Sequence, residues 1–184
     1  SVGQRLSGSG KELGRIMEFN DIYDKDRNLT GRTHRRGTIW RKGEYGLVVC
    51  VWVYDGKGKF LLTRRAPEKS FAGTWENSGG AALAGETSLQ AIARELREET
   101  GIAAQPEELE LLCSGRDRNA HYDFYCLQRD ADTKIDLQHG EKDAYQWVSF
   151  ETIHQMIEKG LICKIIARQF LRQEPLLRAK QSEK

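Results

Sequence analysis

GAALAGETSLQAIARELREETGI, residues 80–102, is the stretch from which the fold can be read. Leu89, Ile92, Ala93 and Leu96 recur at helical spacing, which predicts a helix over about Thr87 to Thr100 that packs on a sheet through Leu89, Ile92 and Leu96. Thr87 with Gln90 three residues later matches a capping box, and Gly101 stands just past the last turn, where a left-handed residue commonly ends a helix. Glu95, Glu98 and Glu99 fall at i, i+3 and i+4, so their carboxylates share one face. Like charges at these spacings cost a few tenths of a kcal/mol per pair, and the C-terminal end of a helix dipole also disfavours anions. A compensating cation is therefore expected: Arg94, which reaches Glu98 at i+4, or a hard divalent metal. Taken alone, the residues favour a solvated acidic face, with a metal site as the competing account.

Working outward, GLVVCVWVYD (46–55) is dense in β-branched and aromatic residues, and KFLLTRR (59–65) follows a GKG turn, so a hairpin with a central first strand is predicted. Beyond the helix, ELELLCSG, HYDFYCLQ and DAYQWVSF read as strands, and FETIHQMIEKG and LICKIIARQFLRQ as helices. Strands, one helix, strands, then helices, with several hairpin-length connections, predict an α/β/α sandwich on a mixed sheet. Upstream, EFNDIYD suggests a short strand, KDRNLTG a turn, and THRRGTIWRKGEY a long surface loop whose basic run is either an anion site or simply solvated. Residues 1–16 are expected to be a flexible leader, 17–175 the folded domain, and 176–184 a basic tail frayed beyond Pro175.

With 29 basic and 27 acidic residues the net charge is +2, so no global field calls for duplex nucleic acid. No apolar run approaches the roughly 20 residues of a membrane span, and the first residues lack a secretory signal, so a soluble, cytoplasmic protein is expected. Cys50, Cys113, Cys126 and Cys163 are too far apart in sequence for a zinc knuckle or redox pair, and the four histidines form no HxxxH pair, so reduced thiols and no histidine metal site are expected.

The segment also fits the spacing GX5EX7REUXEEXGU, with U aliphatic, at Gly80, Glu86, Arg94, Glu95, Leu96, Glu98, Glu99, Gly101 and Ile102. In this it resembles the Nudix hydrolases, and the likeness extends over roughly Glu18 to Gly160. The resemblance implies a Nudix α/β/α sandwich. It also implies magnesium or manganese held by Glu95, Glu98, Glu99 and the Gly80 carbonyl, with Arg94, Glu95 and Glu98 catalytic and Glu98 favoured as the base. Glu141, six residues ahead of Trp147, is the implied additional ligand, with Asp143 as its rival. Arg64 and Arg65 are candidates for gripping substrate phosphate, the plainer reading being a pair with Glu86 or Glu76. Trp75 reads as core. Hard oxygen donors suit magnesium, which neutralises diphosphate oxygens and lowers the pKa of bound water.

The implied substrate is a small-molecule diphosphate, either a nucleoside diphosphate linked to another moiety or a related organic diphosphate; a homodimer is left open. Two other functions compete. DIYDKDRNLTGRTHRRG and LLTRRAPEKSFAGTWENS look closest to the isopentenyl-diphosphate isomerase branch, but the isomerase cysteine and histidine positions are here Gly79 and Ala81. A non-catalytic nucleotide-binding module is the third reading, and such modules commonly lose the box glutamates that are all present here.

Overall fold

A computed structural model describes residues 17–183, so the expected leader, residues 1–16, lies outside the described residues. The chain opens with an antiparallel ribbon of β1 (Phe19–Tyr23) and β2 (Leu29–Arg35). The main sheet comprises β3 (Gly46–Tyr54), β4 (Lys59–Arg65), β5 (Trp75–Glu76), β6 (Ser78–Ala81), β7 (Glu110–Asp117), β8 (Ala120–Gln128) and β9 (Lys142–Ser149). It is mixed: β3 runs parallel to β8 and antiparallel to β4 and β6. The helices are α1 (Ser88–Thr100), α2 (Phe150–Glu158) and α3 (Lys164–Ser182).

Strand alternation sorts β3 into two cores. Val49, Val51 and Val53 face α1 together with Ile92 and Leu96, while Trp52 and Tyr54 join Phe150, Ile153, Phe170 and Leu177 under α2 and α3. The expected α/β/α layering is thus present, with β3 central as predicted. Among the described residues no helix is long and apolar enough to cross a membrane.

The feature that positions the site is a splay. β3 and β4 pair only at Tyr54 with Phe60 and then diverge. Residues 75–81 bridge the gap, with Trp75 and Glu76 laid against β4 and Ser78–Ala81 against Val48–Val51 of β3. Burial of the strand faces holds this wedge open, so its polar lining is fixed by the sheet rather than by a loose loop.

Three expectations need correction. Thr33, His34 and Arg35 belong to β2 rather than to a loop, because β1 supplies a partner for their backbone, and the loop begins only at Arg36. Leu89 is 36% exposed and does not anchor α1; Ala91, Ile92, Leu96 and Thr100 do. Leu89 lies in the first turn, which is docked by Ser88 Oγ on Asp123 and Tyr125. Nor does the chain fray past Pro175. Proline removes one helical hydrogen bond, yet α3 runs to Ser182 because Leu177 is fully buried, Lys180 Nζ meets both Glu110 carboxylate oxygens at 2.7 Å, and the Gln181 amide bonds Gly58 N and Lys59 O.

Candidate active site

α1 delivers the box carboxylates. Its start is fixed by the reciprocal Thr87–Gln90 capping box and its end by Gly101 at φ 75°, so the expected caps are both present. From this helix Glu95 and Glu99 turn toward the wedge, whereas the Glu98 carboxylate is 44% exposed. Arg94 is not a free cation: it donates to Glu86 at 2.6 and 3.0 Å, to Glu95 at 2.9 Å, to Glu98 at 3.2 Å and to the Ala81 carbonyl at 3.3 Å. Arg94 thus clamps the box loop onto the helix and offsets the carboxylate repulsion.

Gly80 needs to be glycine because of close approach. A Cβ built there would stand 2.5 Å from Glu95 Oε1, so any side chain displaces the carboxylate. Gly79 is tighter, for its Cβ would lie 2.2 Å from the Val49 carbonyl oxygen and 3.1 Å from Cys50 Sγ. In this chain backbone leaves no room for a side chain at Gly79. Gly80→Ala is expected to cost activity at least about tenfold by moving Glu95, with the melting temperature shifted only a few degrees. Equal turnover in folded Gly80→Ala would show that the Glu95 position is unimportant.

Glu99 is buried. It accepts from Gly79 N at 3.3 Å and stands 3.7 Å from Lys142 Nζ, a group only 2% exposed that also pairs with Glu76. Burial dominates its environment and pushes the Glu99 pKa up to about 8, with Lys142 opposing and Glu76 and Glu95 reinforcing. Burial likewise raises the Glu95 pKa, opposed by Arg94. Among the described residues no three His, Cys, Asp or Glu converge as a ready ligand set, because Arg94 and Lys142 hold these carboxylates instead.

The other expected site residues lie differently. Glu141 is half-buried and paired with Lys69 at 2.7 Å rather than with any box residue; the neighbouring Lys142 occupies the wedge. Its rival Asp143 binds Arg64 at 2.7 Å, and the Arg64 guanidinium lies over Trp75, 5.6 Å from the ring centre. Arg65 donates to Glu76 at 3.1 Å and to the Ser70 carbonyl at 2.6 Å. The plainer reading, a pair with Glu76, therefore holds for Arg65. Trp75 is half-buried against the α2/α3 core, as expected. Among the described residues no cysteine is in a disulfide.

Sequence reasoning missed Lys142 and Arg36, and it gave Glu76 only as a partner for the strand arginines. Arg36 follows β2 and is held by Glu18, and its pKa is raised by that bond and further by the charges of Glu95 and Glu141. The basic run containing it was the available signal.

Comparisons with known proteins agree with this geometry. A family model for the NUDIX domain matches residues 44–165. An uncharacterised Nudix hydrolase of Listeria monocytogenes is 31% identical over 147 residues, covering 78% of this chain and 87% of that one. An isopentenyl-diphosphate Delta-isomerase of Enterobacter is 33% identical over 122 residues, 61% of this chain and 66% of that one. A Deinococcus radiodurans crystal structure matches with a TM-score of 0.72 at 21% identity, covering 85% of this chain and 99% of that one, a likeness of fold.

Proposed function

This chain belongs to the Nudix family and is a hydrolase, and from that premise we propose that it cleaves the diphosphate linkage of a nucleoside diphosphate joined to another moiety, or of a related organic diphosphate, with magnesium or manganese. The observation that carries the reading is the approach of Glu95 and Glu99 to the glycine pair at the wedge, one face of which a Cβ at Gly80 would fill, with Glu98 tied to Glu95 through Arg94.

The donor set fits a hard cation: carboxylate oxygens and the Gly80 carbonyl, with no thiolate or imidazole among the proposed ligands. Glu95, Glu98 and Glu99 with that carbonyl would hold the ion. A bound divalent ion supplies neutralisation of the phosphate oxygens and a lowered pKa for water. The chain's own part is to orient and to move a proton. Arg94 keeps Glu95 and Glu98 on one side of the box loop. Glu98, the most exposed of the three carboxylates, would accept the proton of the attacking water.

The test is a panel of nucleotide sugars, dinucleotides, nucleoside triphosphates, coenzyme A and isoprenoid diphosphates with magnesium, assayed for both phosphate-bearing products. Cleavage of one or more is expected, and no conversion of isopentenyl diphosphate to its allylic isomer. Isomerisation without hydrolysis would reverse the assignment.

Glu99 also makes stability depend on pH. A carboxyl whose pKa in the fold stands above its ordinary 4.5 contributes most below that value, and the contribution is lost as pH rises through about 8. Chelator-treated protein is expected to melt progressively lower between about pH 5 and pH 8.5, and Glu99→Gln to flatten that slope. Millimolar magnesium is expected to raise the wild-type melting temperature at pH 8. An unchanged melting temperature across metal concentrations would favour a merely solvated acidic face.

A further inference from the structure

The basic run THRRGTIWRKGEY, residues 33–45, has only its first three residues in β2, and from Arg36 it forms a loop that borders two adjoining hollows. One, of about 290 Å³, is bordered by Arg36, Leu47 and Ala81. It reaches the box: Ala81 follows Gly80 on β6, Leu47 belongs to the core on the α1 side, and Arg36 stands in the field of Glu95. The other, of about 530 Å³, is bordered by Arg41, Lys42 and Arg118. Thr38, Trp40 and Asn119 border both. Trp40 is held in place between them, for the His34 ring stacks on it at 3.7 Å and a Cβ at Gly46 would stand 3.0 Å from its edge.

The second hollow is locally cationic, although the whole chain carries only +2. Glu44 is the one acid in residues 36–45, and both of its oxygens are taken, one by Arg32 at 2.6 Å and the other by the Arg41 N–H at 3.1 Å. Asp117, beside Arg118, faces Arg168 at 3.8 Å. The side chains of Arg41, Lys42 and Arg118 have no carboxylate partner among the described residues. Arg118 is also strained. It is the first of the two residues that turn β7 into β8, and its φ is 50°, in a place that glycine ordinarily holds. The Asn119 carbonyl after it accepts from Gly46 N at 2.9 Å, which ties the turn to β3. Strain of this kind persists where the surrounding structure enforces it, and it gathers at ligand sites.

Three unopposed cations, two of them guanidinium forks, suit a phosphate group rather than a sugar hydroxyl or an isoprenoid chain. Their distance from the box sets which phosphate. Val49 is the partner of Gly80, and Gly46 lies three residues back along β3. At about 3.3 Å per residue and about 4.8 Å between strands, the loop and turn begin roughly 11 Å from Gly80. The flexible Arg and Lys side chains reach back over part of that gap. A phosphate ester on the ribose of a nucleotide whose 5′-phosphate sits at the box covers the rest, with the first hollow holding the sugar between.

We propose that Arg41, Lys42 and Arg118 form a second anion site, which recognises a ribose phosphate ester carried in addition to the diphosphate, so that coenzyme A and phosphorylated dinucleotides are favoured over their dephospho forms. The proposal rests on the diphosphate-hydrolase reading for its link to the box, but its test needs no hydrolysis. AMP, adenosine 2′,5′-bisphosphate and adenosine 3′,5′-bisphosphate are titrated into the full chain by calorimetry with magnesium at low salt. At least one bisphosphate is expected to bind roughly tenfold or more tighter than AMP, as one added charge-assisted contact allows, and the tighter isomer tells which ribose position carries the ester. The advantage should shrink as salt rises, because exposed charges are screened.

Arg118→Gly removes the cation and relieves the backbone, so it should erase the advantage over AMP, leave AMP binding unchanged, and hold or raise the melting temperature. Lys42→Gln, at an exposed position, should reduce the advantage several-fold. Equal binding of AMP and both bisphosphates, or a folded Arg118→Gly that keeps the full advantage, would overturn the site while leaving the hydrolase reading intact. Should Arg118→Gly not fold, the wild-type ranking and Lys42→Gln decide. A wild-type chain that ranks the ligands as expected yet hydrolyses no diphosphate would instead sink the hydrolase reading alone.

Discussion

Glu98→Gln is expected to lower turnover on the best diphosphate substrate by at least about 10²-fold, the lower end of what a general base or charge-stabilising group contributes. The substitution keeps length and hydrogen-bonding capacity but removes the charge and the proton acceptor. Glu98 is the clean choice among the three carboxylates. Its side chain is 44% exposed and its one recorded ion pair is to Arg94 at 3.2 Å, so little of the fold depends on it. Glu99 is buried against Gly79 N and Lys142, and Glu95 covers Gly80, so changes there would mix chemistry with structure. The measurement is kcat at saturating magnesium beside thermal melting. A melting temperature within a few degrees of wild type with the loss in kcat is the expected pair. Wild-type kcat in folded Glu98→Gln would remove the proton-accepting role from this residue.

The elements with strong local patterns were legible in the sequence. α1 combines apolar periodicity with a cap at each end, and β3, β4, β8 and β9 carry β-branched or aromatic residues. What escaped has its cause in tertiary structure. β2 is almost wholly exposed, so it shows no alternation to read and exists because β1 pairs with it. β5 is only two residues long and β6 reads Ser-Gly-Gly-Ala, and both take strand geometry only where β3 and β4 diverge. Glu141 stands out in the sequence as a carboxylate ahead of Trp147, but it precedes β9, and the residue in the wedge is its neighbour Lys142. The register of β9 shifts between Ala144 and Lys142, opposite Arg64 and Arg65, so counting alternate residues back from the strand does not place this side chain.

Leu96→Asp is expected to unfold or aggregate the protein, whereas Leu89→Asp should leave it folded. Both leucines lie on the angular sector of α1 that turns toward the sheet, so periodicity alone treats them alike. Leu96 is fully buried in the core formed with Val49, Val51, Ile92 and Ile102. Its replacement forfeits about 1.5 to 3 kcal/mol of apolar burial. It also strands a carboxylate that must either stay protonated or be desolvated without a partner, a cost of several kcal/mol more. Against a net stability of about 5 to 15 kcal/mol for a domain, the sum is large enough to empty the native state. Leu89 is 36% exposed in the first turn, where an aspartate meets the positive end of the helix dipole and is mildly favoured. Its change is expected to stay within about 1 kcal/mol. Urea titration of the two variants separates the cases: soluble, cooperative unfolding of Leu96→Asp at the wild-type midpoint would refute the burial of this face, and with it the docking that holds Glu95 and Glu99 at the wedge.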